Sequence, residues 1–140
     1  MLYGEIIHPP LLGALSAAGH GSTVLITDGN YPTATGVNPL AEKIFLNFAP
    51  GQLSVTDILA KLVKTIPIEA ATVMSPKDGT EIAAHADFRA ILPKDVEFHE
   101  IGRFEFYEKC RESDLAVVIA SGEQRIYANL LLTIGVRKPE

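Results

Sequence analysis

Two short segments of this chain carry side chains suited to proton transfer and to holding hydroxyl groups. Gly19-His20-Gly21 sets an imidazole between glycines, where backbone can approach a ligand closely. An ordinary imidazole titrates near pH 6.5, at about the point where both of its forms are available to catalysis. Asp28 follows the apolar run Ser22 to Thr27, at the carboxyl end of an expected strand. Open α/β sheets gather their ligand contacts at such ends. An imidazole and a carboxylate of this kind suit work on a small polar substrate. Each also has a plainer role, and taken alone the plainer role is the commoner one. His20 can close a helix C-terminus, where positive charge meets the helix dipole. Asp28-Gly29-Asn30 can be a simple turn, since all three residues are turn formers.

Further candidates lie in the second half. Arg103 in Arg103-Phe104-Glu105-Phe106-Tyr107 follows a strand and opens a helix. Its fork of donors fits paired hydroxyls, and its plainer role is a surface ion pair with Glu100 or Glu105. Ser121-Gly122-Glu123 and Tyr127-Ala128-Asn129 bridge the last two strands. Tyr127 can lie against a sugar ring or pack half-buried in a tight loop, and Asn129 can both donate and accept. Ser121-Gly122 lacks the Gly-x-Ser-x-Gly setting of a hydrolase nucleophile. His8, His85 and His99 show neither HExxH nor CxxC spacing, so no metal site is expected. No GxGxxG or Walker loop is present, so no nucleotide cofactor is expected.

The chain has 140 residues, 47% of them hydrophobic and 21% charged, enough for one domain over residues 1–140 with a true core. A net charge of −5 with scattered basic residues argues against a nucleic-acid partner. No apolar run reaches the roughly 18 residues of a spanning helix, so no membrane association is expected. The N-terminus shows no basic segment leading into an apolar one, so no secretory leader is expected. A single cysteine, Cys110, fits a reducing cytoplasm.

Strand and helix patterns interleave along the chain. Pro9-Pro10 opens a short helix that Gly19 should stop in the left-handed conformation. Strands are predicted over residues 22–27, 43–48, 68–74, 96–101, 115–120 and 129–134, and helices follow Ser54 and span 82–92 and 103–113. Ser54-Val55-Thr56-Asp57 reads as a capping box with Asp in the usual Glu position. Several strands are apolar throughout, which implies an α/β three-layer αβα sandwich around a mostly parallel sheet of about six strands. This arrangement creates a conflict. A six-residue strand spans roughly 20 Å, so His20 and Asp28 fall at opposite ends of one strand. A site formed between neighbouring subunits would remove the conflict.

Taken in order, these segments resemble the ribose pyranase / fucose mutarotase family. The likeness is carried by Gly19-His20-Gly21, by Thr27-Asp28-Gly29-Asn30-Tyr31-Pro32, by Arg103-Phe104-Glu105-Phe106-Tyr107-Glu108, by Ser121-Gly122-Glu123 with Tyr127-Ala128-Asn129, and by the terminal run Leu130 to Val136. It implies a ring-shaped homo-oligomer, with pentameric rings stacked into decamers and sites shared between adjacent subunits. It implies a monosaccharide substrate, His20 as the proton-transfer residue, and Asp28, Arg103, Tyr127, Ala128 and Asn129 at the sugar-binding positions. In that picture Tyr127 completes the pocket from a neighbouring chain. The run around Arg103 resembles the fucose branch, since the ribose branch usually has histidine at that position. Gly29 and Ala128 depart from the residues usual in the family, and residues 43–94 match it poorly. The implied reaction is mutarotation, which needs no metal, nucleophile or electron sink. The alternatives are a D-ribose pyranase, a non-catalytic sugar-binding or transport-accessory protein, and an unrelated flavodoxin-like scaffold.

Overall fold

The first helix, α1 (Pro9–Ala17), starts where proline rings already fix a helical φ and leave no N–H unpaired. His8 caps it, its Nδ1 accepting from the Leu11 N–H at 3.2 Å. The computed structural model describes Met1–Glu140. After α1 the chain forms β1 (Thr23–Thr27), β2 (Glu42–Phe45), α2 (Val55–Leu62), β3 (Ile68–Ser75), α3 (Ala83–Ile91), β4 (Glu97–Gly102), α4 (Arg103–Lys109), β5 (Leu115–Ala120) and β6 (Leu130–Ile134). These are the predicted elements, with shifted ends. The helix expected to run to Ser113 stops at Lys109, because Arg111 and Glu112 turn back onto Glu108 and Lys109 in short turns. Gly19 is not the left-handed stop of α1. The helix ends on Ala18 in extended backbone, and the positive φ, 83°, belongs to Gly21.

The strands form one sheet in the order β2-β5-β1-β6-β3-β4. β5 is parallel to both β1 and β2, and β3 is parallel to β4. β6 lies antiparallel between β1 and β3. Because β1 and β3 both oppose β6, all five other strands point the same way. Alternate residues of β1 feed two cores. Val24 and Ile26 join the larger one with α1, α2 and α3, while Leu25 joins the smaller one with Phe106 and Cys110 on the α4 side. The result is three layers, with three helices on one face and α4 plus the Tyr31–Ala41 loop on the other.

The α2 helix shows why the layers hold. The capping box is complete, with Asp57 N–H donating to Ser54 Oγ at 3.1 Å and Ser54 N–H to Asp57 Oδ2 at 2.9 Å. Its buried Val55, Ile58, Leu59 and Leu62 recur at helical spacing, each contributing about 1.5–3 kcal/mol on burial. On the opposite face Cys110 is fully buried, its carbonyl accepting from the Asn38 N–H at 2.8 Å. Burial pushes its thiol up to about 11.

One close approach docks the connection after β5 onto the segment before α2. Gly51 donates to the Gly122 carbonyl at 2.7 Å, and Gly122 donates to the Leu53 carbonyl at 3.1 Å. A Cβ on Gly122 would strike the carbonyl oxygens of Gln52 and Ala49. Gly122→Ala is therefore expected to lower stability by about 1–3 kcal/mol, read as a lower urea midpoint at unchanged slope.

Candidate functional site

The sheet decides which candidates can meet. Asp28 leaves the end of β1, Arg103 follows the end of β4, and Ser121 follows the end of β5, all at the carboxyl edge of the parallel strands. Antiparallel β6 begins at that same edge, which brings Tyr127 and Asn129 there as well. Asp28, Arg103, Tyr127 and Asn129 together line a pocket of about 250 Å³, walled also by Asn30, Tyr31, Met74, Tyr107 and Ile126. Small-molecule sites usually enclose about 300–1,000 Å³, so this cleft is small. Ile126 and Phe104 stand 66% and 62% exposed on this side of the molecule.

Asp28 is held from two sides. Its Oδ1 accepts from the Asn30 N–H at 2.9 Å, and its Oδ2 accepts from Asn129 Nδ2 at 3.0 Å. Its own N–H donates to Asn129 Oδ1 at 2.8 Å. Asn129 thus spends its carbonyl and one amide hydrogen on aiming the carboxylate. The carboxylate keeps lone pairs free to accept hydroxyls. Burial, at 5% exposure, pushes the Asp28 carboxyl above its ordinary value despite these hydrogen bonds. Arg103 is exposed and forms no ion pair with Glu100 or Glu105. Glu100 is taken by Arg89 at 3.0 Å, and the Arg103 guanidinium stands 4.7 Å from the Phe104 ring centroid.

Tyr127 lines the same pocket of the same chain, which corrects the expectation that it arrives from a neighbour. The reason is the route of residues 121–129, which return along the carboxyl edge into β6. Its backbone is left-handed, with φ at 59°. A bulky residue held there costs about 1–3 kcal/mol unless its surroundings impose the conformation. The Tyr127 carbonyl accepts from His85 Nε2 at 3.0 Å. Ala128 places its methyl in the larger core, fully buried, and does not line the pocket.

His20 lies at the other end of the sheet. The Ser22 N–H closes a turn on the Gly19 carbonyl at 3.1 Å, with His20 and Gly21 as its central residues. A positive φ at the second central position is a glycine role. The Gly21 N–H donates to the Ile134 carbonyl at 3.0 Å, which pins the turn to the end of β6. The imidazole is exposed, and its Nε2 meets Glu69 at 3.1 and 3.3 Å from the two carboxylate oxygens. A carboxylate only accepts, so Nε2 carries hydrogen. Glu69 gave no local signal, since the two residues are far apart in sequence and meet only because β1 and β3 flank β6. No three His, Cys, Asp or Glu side chains converge as metal ligands would, and no helix is long and apolar enough to cross a membrane.

Residues 1–137 match the RbsD / FucU transport protein family. D-ribose pyranase 2 of Streptomyces griseus is 35% identical over 133 residues, covering 94% of this chain and 95% of that protein. The fucose mutarotase of Bos taurus is 30% identical over 148 residues, covering 96% of this chain and 92% of that protein. Among solved structures, RbsD of Bacillus subtilis, complexed with D-ribose, has the same fold, with a TM-score of 0.85 at 24% identity over 99% of both chains.

The raised Asp28 value has a consequence for stability. The folded protein holds this proton more tightly than the unfolded chain, so the group's contribution is complete below its ordinary value of 3.8 and is lost as pH rises through the folded value. Asp28→Asn removes that dependence. Unfolding free energies from urea titration, variant relative to wild type, should climb with pH across this acidic window, by at most about 1.4 kcal/mol per pH unit, and level off above it. A flat difference across the window would contradict the burial of an ionising carboxyl.

Proposed function

Because the chain belongs to the RbsD / FucU transport protein family, we propose that it is a monosaccharide mutarotase, an isomerase that opens an aldose ring and lets it reclose as the other anomer. In the opening step the ring oxygen takes a proton as its bond to the anomeric carbon breaks, and the anomeric hydroxyl loses its proton to water. Reclosure on the other carbonyl face inverts the anomer, and reclosure through another hydroxyl changes ring size. The observation that carries this reading is the convergence of Asp28, Arg103, Tyr127 and Asn129 on one pocket. Asp28 accepts sugar hydroxyls, Arg103 donates to them, and Tyr127 lies against the ring. His20, as the imidazolium, gives the proton from Nδ1 while Glu69 holds Nε2–H, and the neutral ring then regains a proton from the water that took the anomeric one.

Five residues of β1 separate His20 from that pocket by about 17 Å of strand. The reading therefore has His20 of a second copy reach the sugar, within a ring-shaped homo-oligomer. The exposed Phe104 and Ile126 and the small volume of the pocket support a further wall supplied by another chain. Arg103-Phe104 followed by Phe106-Tyr107-Glu108 supports L-fucose or a related sugar. Met74, Tyr107 and Ile126 offer an apolar wall suited to the methyl group of a 6-deoxy sugar. A second reading, D-ribose as substrate, is favoured by the 35% identity to a D-ribose pyranase. The lone buried thiol suits action in a reducing cytoplasm.

Saturation-transfer NMR of anomer exchange, with L-fucose and D-ribose compared, tests the reaction and the sugar together. His20→Ala should lose the roughly 10²–10⁴-fold that a placed acid/base contributes. Equal exchange rates for wild type and His20→Ala would end the proposal for His20. Co-expressing His20→Ala with Arg103→Ala should restore part of the activity that each lacks alone, because mixed assemblies regain sites with both halves intact. Absence of any restoration would count against a shared site.

A further inference from the structure

Residues 123–127 are fastened to α3 at two points. Arg125 donates from Nη1 to Asp87 Oδ2 at 2.7 Å, and its Nε and Nη2 meet the two Glu123 carboxylate oxygens at 3.0 and 2.9 Å. Two residues before Asp87, His85 reaches the Tyr127 carbonyl from below the same connection. A carbonyl oxygen only accepts, so His85 Nε2 carries the hydrogen. The ring is 4% exposed and lies tilted against Phe88, with centroids 6.1 Å apart. Burial holds its titration below the ordinary histidine value, which favours the neutral ring. In the neutral ring, a hydrogen on Nε2 leaves Nδ1 as the acceptor, so one tautomer is selected.

The atom that His85 holds matters because of what Tyr127 is doing. Tyr127 is one of two non-glycine residues with positive φ, and it is the one that lines the pocket. An L-residue stays left-handed only where its peptide groups are anchored on both sides. On one side is the Arg125 and Glu123 tether. On the other are Ala128 in the core and Asn129 bonded to Asp28. The Tyr127 carbonyl lies between them, and His85 is its partner.

We infer that His85 is a positioning residue for this pocket, its Nε2–H holding the Tyr127 carbonyl and thereby the left-handed backbone that presents the Tyr127 ring beside Asp28. The inference rests on the mutarotase reading for its kinetic consequence but not for its structural one. His85→Leu removes the donor, and His85→Gln places an amide donor close to where Nε2 stood. His85→Leu should raise KM for the sugar roughly tenfold or more while kcat changes far less, since the loss falls on sugar positioning. His85→Gln should return KM to near the wild-type value. In a Tyr127→Ala background, His85→Leu should add little, because the two residues act as one unit.

A second arm needs no activity. In ¹⁵N-labelled protein, the wild-type His85 ring should show the neutral Nε2–H tautomer. The Tyr127 and Ala128 amide signals should move in His85→Leu and return in His85→Gln. If wild type speeds exchange of neither sugar, the mutarotase reading fails and the spectra alone decide the role of His85. An Nδ1–H tautomer in wild type overturns the inference. So do unmoved amides in His85→Leu, or a KM penalty that persists undiminished in the Tyr127→Ala background. The wild-type tautomer decides it even where the leucine variant does not fold.

Discussion

Asp28 and Asn129 exchange two hydrogen bonds across the junction of β1 and β6, one through the Asp28 N–H at 2.8 Å and one through its carboxylate at 3.0 Å. Both side chains are buried, and a buried polar group left without a partner costs about 1–3 kcal/mol. The pair therefore satisfies two desolvated groups at once and sets the direction of each. It exists only because β6 runs against its neighbours. A parallel last strand would deliver its first residues to the opposite edge of the sheet, far from Asp28. The single reversed strand thus assembles the pocket from segments that are distant in sequence.

The two ends of the sheet differ in electrostatic character. At the carboxyl edge, Asp28 is buried and its proton is held more tightly than usual. At the other edge, His20 and Glu69 pair in the open, where solvent screens their attraction and the contact adds little to stability. The exposed pair is better explained by orientation than by cohesion. Glu69 settles which ring nitrogen is bonded, and the Gly19–Ser22 turn fixes where the ring stands. The fold thus keeps a buried carboxylate and an exposed imidazole on opposite edges of the sheet.

Much of the fold was legible because its signals are local. Ser54 and Asp57 announce a capping box within four residues, and the structure makes both of its hydrogen bonds. Val55, Ile58, Leu59 and Leu62 announce one buried helix face. The unbroken apolar run of β5 announces a central strand, and β5 indeed lies between β1 and β2. That Asp28, Arg103 and Asn129 come to one edge was legible because each adjoins a strand end, and the structure has them line one pocket. The place of Tyr127 in its own chain's pocket was not legible, because it depends on residues 121–129 returning along the carboxyl edge into β6. Glu69 reads like any solvated residue in an alternating strand, and its meeting with His20 depends on strand order. His85 did leave a trace, since it sits beside Ala84 and three residues before Phe88 on the apolar face of α3. A histidine on that stripe is committed to an internal partner, although nothing local says which.

Cys110 has a practical consequence for following this protein in solution. The thiolate, not the thiol, attacks sulfhydryl reagents, and a thiol with its titration pushed up to about 11 is almost wholly protonated near neutrality. The sulfur is also enclosed by the smaller core, beneath α4 and the Tyr31–Ala41 loop. A soluble reagent reaches it only when that layer lifts away from the sheet. The rate of its labelling therefore times the opening of one face, through a probe the chain already carries.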